Sequence, residues 1–262
     1  TEQERQEADE ERVVRIPLTQ LHYFKGYPAM QTEVPFTGQP YRFKDDDPKM
    51  QETLDSVKKR GVRAPGLVRP DPDGGYEIIS GHRRHRASEL AGLEDMPVII
   101  RDMTDEEAVI EMVDANIQRE KVMPSEKAWA YRMKLEAIKH QGARTDLTSV
   151  QVEQKLSARD KVAKDAGEKS GIQIMRYIRL TELIPELLDM VDEKKIAFNP
   201  AYELSFLKKE EQIQLLDAMD SEQATPSLSQ AQRLKKFSQE GRLSIDVMRA
   251  IMGEEKKSDL DK

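Results

Sequence analysis

Tyr76-Glu77-Ile78-Ile79-Ser80-Gly81-His82-Arg83-Arg84-His85-Arg86-Ala87 is the stretch that decides how the rest of this chain is read. It opens as a short apolar strand, breaks at a glycine and turns straight into a helix carrying three arginines and two histidines. A helix N-terminus offers backbone N–H groups without intrahelical partners and the positive end of the helix dipole, which suits an anion. Arginine adds a planar, permanently charged fork matched to phosphate oxygens. Glycine at the break lets the backbone turn sharply and approach a ligand closely. These residues describe a phosphate site. The plain alternative is a solvated basic helix start whose arginines pair with nearby acids.

Working outward, Leu67-Val68-Arg69 and Tyr76-Glu77-Ile78-Ile79 read as two strands joined by the strong turn signal Pro70-Asp71-Pro72-Asp73-Gly74-Gly75. Met50, Leu54 and Val57 recur at i, i+4 and i+7 and predict an amphipathic helix over 49–60, ended by Gly61 at C′. Residues 13–18 read as a first strand, followed by an irregular stretch with Pro28, Pro35, Gly38 and Pro40. The basic helix is expected over 84–90 and a buried strand over 96–101. Thr104 and Glu107 form a capping box for a helix whose apolar face is Ala108, Val109, Met112 and Val113. That helix runs into Asn116-Ile117-Gln118-Arg119-Glu120, a polar end whose side chains can hold a phosphate or a metal-bound phosphate. Residues 13–122 therefore read as a small α+β domain. The joint Gly61-Val62-Arg63-Ala64-Pro65-Gly66-Leu67, taken alone, is a loop with turn residues.

From Ser125, expected as a helix cap, the chain reads as almost entirely helical. Two helices flank Gly167, the second opened by Ser170, in a helix-turn-helix pattern within a domain spanning 123–220. Ser170, Gln173, Arg176, Tyr177 and Arg179 are the polar set expected to reach DNA bases and phosphates in a major groove. Ile172, Met175 and Ile178 are expected in the core, and Trp129 and Tyr131 as packing residues. Any two helices in a bundle would also fit this pattern. Residues 221–262 read as a short helical tail, and no internal repeat of solenoid period is visible.

Charge is segregated. The chain carries a net −7, and residues 1–12 hold six acids against Arg5 and Arg12, the composition of a disordered acidic arm. Residues 151–181 hold seven bases and four acids, a local +3 that the net charge conceals. Cysteine is absent, which excludes disulfides, thiolate metal sites and cysteine nucleophiles. The four histidines form no HExxH pair, so zinc chemistry is not expected. No apolar run reaches membrane-spanning length and no leader pattern is visible, which points to a cytoplasmic protein with no membrane partner.

In order, the Gly-Val…Pro joint, Gly81-His82-Arg83-Arg84-His85-Arg86-Ala87 and Asn116-Ile117-Gln118-Arg119-Glu120, followed by a helix-turn-helix, resemble the ParB/RepB/Spo0J family of partition proteins over residues 13–220. The resemblance implies an α+β fold: a small ParB/sulfiredoxin-like N-terminal domain followed by an all-α helix-turn-helix domain. It implies a DNA clamp controlled by CTP and Mg²⁺, acting on a palindromic double-stranded DNA site in plasmid, chromosome or mobile-element segregation. A ParA-type ATPase and a second copy of the chain are the implied partners. Gly61, Pro65 and Gly66 would line the nucleotide pocket, and Gly81, His82, Arg83, Arg84 and Arg86 would surround the triphosphate. Asn116, Gln118 and Arg119 would sit by the phosphates, with Asn116 at the metal. Two positions depart from the family pattern: His82 stands for the usual Glu, and Ala115 for the acid expected before Asn116. Because Mg²⁺ favours carboxylate ligands, the second departure weighs against CTP turnover, with Asp114 the nearest substitute. The catalytic residues of such a weak CTPase are not assigned. Open alternatives are a helix-turn-helix transcription or replication regulator indifferent to nucleotide, a phosphotransferase or nuclease on the same fold, and an interaction module whose basic turn makes only salt bridges. Sulfiredoxin activity is excluded by the lack of cysteine.

Overall fold

The computed structural model describes residues 12–25, 45–117, 122–143 and 151–254. The acidic arm expected over 1–12 lies outside them but for Arg12, as do the proline-containing stretch, Gln118, Arg119 and the chain end from 255. The chain divides into two units: Thr1–Glu120 with Met133–Ala158, and Lys121–Arg132 with Arg159–Lys262.

The first unit is built on a five-stranded sheet in the order β1-β5-β3-β4-β2. The strands are β1 (Val13–Pro17), β2 (Leu21–Tyr23), β3 (Gly66–Pro70), β4 (Tyr76–Ser80) and β5 (Asp95–Ile100). β1 runs antiparallel to β5, with Val13 opposite Ile99 and Pro17 opposite Asp95. β3 lies parallel to β5 and antiparallel to β4, and β4 lies parallel to β2. The Pro70–Gly75 turn closes as expected: the Asp71 N–H donates to the Gly75 carbonyl at 3.0 Å, and Gly74 and Gly75 take φ of 106° and 74°. Leu21, Val68, Ile78, Met96 and Val98 form one buried cluster of the sheet.

Helix α1 (Pro48–Arg60) buries Met50, Leu54 and Val57 against Ala87 of α2 (His82–Leu90), so the i, i+4, i+7 stripe faces where periodicity puts it. Fully burying each such side chain stabilises the fold by about 1.5–3 kcal/mol. Helix α3 (Asp105–Ile117) carries the expected reciprocal box: the Thr104 N–H donates to Glu107 at 2.8 Å and the Glu107 N–H to Thr104 Oγ1 at 3.2 Å. Two features were not legible. Helix α2 begins at His82, two residues before the expected start, so its first turn coincides with the glycine break. Glu77, in the middle of β4, is buried and accepts from Arg69 at 2.8 Å, and Arg69 also reaches Asp105 at 2.6 Å.

The second unit is helical. The divisions between the units fall inside α4 (Pro124–Ala143) and, between Ala158 and Arg159, inside the helix that follows it. The start of α4 is capped otherwise than expected: Ser125 lies within the helix, and its N–H and hydroxyl both donate to Asp192, 67 residues on. Then follow α5 (Gln151–Asp165), α6 (Gly171–Arg179), α7 (Pro185–Asp192), α8 (Phe198–Leu204), α9 (Lys209–Ser221), α10 (Leu228–Gln239) and α11 (Ile245–Met252). One cluster includes Leu187 and Val191 from α7, Leu204 from α8 and Leu215 from α9, and takes in Leu234 from α10 and Ile251 from α11. The helices of the expected 221–262 tail therefore share the core of the unit that carries the helix-turn-helix. Apolar residues spaced by three and four in a short sequence do not reveal which core they join. Trp129 and Tyr131 are buried, as expected.

Candidate functional site

The strand-to-helix turn is built from two glycines that only a missing side chain allows. Gly81 sits at φ +108°, and a Cβ there would lie 3.1 Å from the Gly66 Cα and 3.2 Å from Arg84 Nη2. Side chains are strained at such φ, and the crowding adds to the cost. Gly81 is also the N-cap of α2 and supplies no side chain to cap it. The first intrahelical bond is the His85 N–H to the Gly81 carbonyl at 2.9 Å, so the preceding N–H groups have no partner within the helix.

Beside this turn lies a cavity of about 510 Å³, within the range of small-molecule sites. It is walled by Glu52, Thr53 and Ser56 of α1, by the joint from Gly61 to Ala64, and by the turn from Ser80 to Arg84. Of the predicted nucleotide-binding residues, Gly61, Gly81, His82, Arg83 and Arg84 line it. Three arginines (Arg63, Arg83, Arg84) face one carboxylate (Glu52), which leaves +2 on the wall. Arg84 holds the joint in place: its Nη1 donates to the carbonyls of Ala64 at 2.7 Å and Pro65 at 2.5 Å. Among the described residues no carboxylate pairs with it, and burial pulls its guanidinium below the usual arginine value. A cation desolvated without a counter-charge favours an incoming anion. Pro65 and Gly66 support the cavity from behind, through the Arg84 bond and the close approach to Gly81.

Two predicted residues lie elsewhere. Arg86 points to Asp45 (2.6 Å) and Glu89 (3.1 Å), and these hydrogen bonds raise its pKa while Arg86 lowers that of Asp45. Asn116 is buried and donates from Nδ2 to the Met112 carbonyl one turn back at 2.7 Å. Asp114 is ion-paired with the buried Lys134 at 2.5 Å. Among the described residues no group of three or more His, Asp or Glu is arranged to hold a metal. As they stand, Asn116 and Asp114 do not fit a magnesium site. His82 stacks on Tyr23 with ring centroids 5.6 Å apart, which the motif did not foreshadow. Sequence reading also missed Glu52, Thr53, Ser56 and Arg63. The first three are the polar side of α1, legible only as a solvent face until packing against Ala87 of α2 sets it beside the glycine break.

In the helical unit α5 and α6 form the expected pair. The Glu168 N–H donates to the Ala163 carbonyl at 2.9 Å and Gly167 takes φ +66°, which ends α5. Ser170 caps α6, accepting the Gln173 N–H. The Gly171 N–H donates to Asp160 Oδ1 at 3.2 Å, and a Cβ on Gly171 would lie 2.3 Å from that atom. The contact is too close for any residue but glycine without a shift.

The polar set is divided. Arg176 donates to Asn199 Oδ1 at 2.8 Å and lies over the Phe198 and Tyr202 rings. Arg179 donates to the Ser205 carbonyl at 2.9 Å and lies over Phe206. Tyr177 packs edge-on against Tyr131 at 5.5 Å and on Phe198 at 4.7 Å. The expected core stripe is a correction. Ile172 and Met175 are 65% and 42% exposed, Ile178 is half-buried, and the buried residues of α6 are Gly171 and Ile174. Both stripes of α6 are apolar and lie about 100° apart, so periodicity alone could not choose between them.

Residues 2–117 match the ParB N-terminal domain family. The chain is 31% identical over 201 residues to the chromosome-partitioning protein Spo0J of Thermus thermophilus, covering 77% of this chain and 62% of that one. Among solved structures it is similar to C-terminally truncated ParB from Caulobacter crescentus complexed to the centromeric parS site. That match has a TM-score of 0.44 and 21% identity over 91% of this chain and 98% of that one. The same protein complexed with CTP-gamma-S gives a TM-score of 0.33 and 22% identity over 74% and 92%.

Proposed function

We propose, for a chain that belongs to the ParB/Spo0J family, a sequence-specific DNA-binding partition protein whose α+β unit binds CTP and whose helix-turn-helix binds duplex DNA. Since the chain spans 62% of the length of its Thermus relative, the activity of the whole protein is part of this proposal. The observation that carries it is Arg84, bonded to two backbone carbonyls beside the uncapped start of α2, in a cavity whose wall carries +2. Fixed N–H groups and guanidinium forks are the donors a polyphosphate needs, and their geometry is set before the ligand arrives. The nucleoside would extend along the Gly61–Ala64 joint toward Thr53 and Ser56 of α1. Bound nucleotide then governs how the protein holds DNA. A palindromic site, a second copy of the chain, a ParA-type ATPase and a cytoplasmic location complete the reading. Magnesium would enter with the triphosphate. With Asp114 committed to Lys134 and Ala115 in place of an acid, binding is favoured over turnover.

The test is calorimetric titration of CTP with Mg²⁺, with ATP, GTP and UTP as controls, on the wild type and on Arg63→Ala and Arg84→Ala. Selective CTP binding that both substitutions weaken supports the reading. An absence of binding to every nucleotide, with and without DNA, leaves a nucleotide-independent helix-turn-helix regulator in its place.

A further inference from the structure

Two apolar side chains stand in water at the start of α6: Ile172 at 65% and Met175 at 42% exposure. They are three residues apart and so share one face of the helix. A single exposed apolar residue is ordinary and needs no account. This pair sits in a particular place. It belongs to the second helix of the helix-turn-helix, on the N-terminal part that enters a DNA groove in this motif. Its surroundings are basic: Lys161, Lys164 and Lys169 are all exposed. Over residues 159–179, six bases (Arg159, Lys161, Lys164, Lys169, Arg176, Arg179) less three acids (Asp160, Asp165, Glu168) leave +3. Such a surface is complementary to a polyanion and repels the same surface of a second copy across a two-fold contact.

The arginines that would ordinarily read guanine are committed. Arg176 is held by Asn199, Phe198 and Tyr202, and Arg179 by Ser205 and Phe206. Tyr177 is packed on two aromatic rings. The side chains of α6 left facing outward near its start are Ile172, Met175 and Gln173, and no hydrogen bond among the described residues holds the Gln173 amide. In the major groove the one apolar feature of a base edge is the C5-methyl of thymine, and Gln pairs with the adenine edge beside it.

We propose that Ile172 and Met175 are specificity residues that read thymine C5-methyl groups, with Gln173 on a neighbouring adenine. The inference rests on the DNA-binding reading above and deepens it: the half-site is selected at A·T pairs through methyl burial, while phosphate contacts position the helix. At Gly171 α6 approaches the Asp160 and Arg159 side chains of α5 more closely than a Cβ would allow without their moving.

The experiment begins by selecting a site from a randomised duplex pool with the full chain and CTP–Mg²⁺. Each thymine of the selected duplex is then replaced singly by deoxyuridine, which deletes the methyl and keeps base pairing. Affinities are measured for the wild type, Ile172→Ala and Met175→Ala. The wild type should bind about fourfold more weakly at one or two positions per half-site, the worth of one buried methyl. Each alanine variant should bind thymine and deoxyuridine alike at its own position. Both side chains are exposed, so the variants retain the wild-type melting temperature. Wild-type indifference to every replacement overturns the proposal, as does a thymine-over-deoxyuridine preference that persists undiminished at every position in both variants. Loss of self-association in either variant with unchanged DNA readout assigns the face to a copy-to-copy contact and also overturns it. Failure to select any sequence overturns the DNA-binding reading itself, a result distinct from the others.

Discussion

Arg84, Arg63 and Arg86 look alike in sequence and differ in what their guanidinium groups are free to do. Charge-assisted hydrogen bonds are worth about 1.5–3 kcal/mol, so losing one to a phosphate weakens binding by about 10- to 100-fold. Arg63 is exposed, so Arg63→Ala should lower nucleotide affinity by that amount in calorimetry and leave the melting temperature unchanged. Arg84→Ala should lower both, because it also releases the carbonyls of Ala64 and Pro65. Arg86→Ala should keep affinity within about threefold, since that fork is taken by Asp45 and Glu89. The same motif holds a pH response. His85 is buried, and burial lowers its pKa from the ordinary 6.5. As pH falls through about 6.5 the unfolded chain takes up this proton before the folded one, so stability declines on acidification below that value. Thermal melting followed from pH 7.5 to 5.5 should fall, and His85→Phe should flatten the slope. The motif itself was legible because glycine and clustered arginine are rare together at a strand end. The partner of each arginine was not, because Asp45 and the Ala64 carbonyl lie 41 and 20 residues away.

At the scale of elements, the sites are set by close approaches. A Cβ at Gly171 would displace the exposed Asp160 carboxylate that accepts the Gly171 N–H, a hydrogen bond worth about 0.5–1.5 kcal/mol. Gly171→Ala should therefore lower the melting temperature of the helical unit and weaken DNA binding together, as read by calorimetry and fluorescence anisotropy. Strand β4 carries a buried acid, Glu77, held by Arg69, which lies 5.2 Å over the Phe24 ring. Arg69 keeps Asp105 when Glu77 is removed but loses its buried acceptor, so Glu77→Ala should destabilise by about 1–3 kcal/mol in urea denaturation. Helix α6 shows where pattern reading stops. Ile174 and the pair Ile172 and Met175 offer two apolar stripes, and which one faces inward depends on how α5 and the Tyr131–Tyr177–Phe198 rings are placed.

For the whole molecule, the acidic net charge and the basic helix-turn-helix act at different ranges. A net −7 opposes approach to DNA at long range, while Lys161, Lys164 and Lys169 act within a Debye length of about 10 Å. Affinity measured by anisotropy between 50 and 200 mM salt should fall log-linearly, and each Lys→Gln change at a phosphate contact should reduce the slope by about 0.9. The helices of the expected tail belong to the same account. Leu234 and Ile251 enter the core of the helical unit, so 228–252 supports the helix-turn-helix pair and is not an appendage.

The order of residues determined local matters: strands, the capping box, the turn at Pro70–Gly75, the glycine-to-arginine break and the helix-turn-helix spacing. These follow from propensities and hydrogen bonds between near neighbours, which a linear pattern records. Tertiary structure alone decided which arginines stay available, that Asp114 and Asn116 are committed, that α1 lends its polar side to the cavity, and which stripe of α6 meets water. Each of these depends on partners separated by tens of residues. Burial and electrostatic pairing act through space, and chain order does not encode which of several chemically equivalent neighbours will arrive.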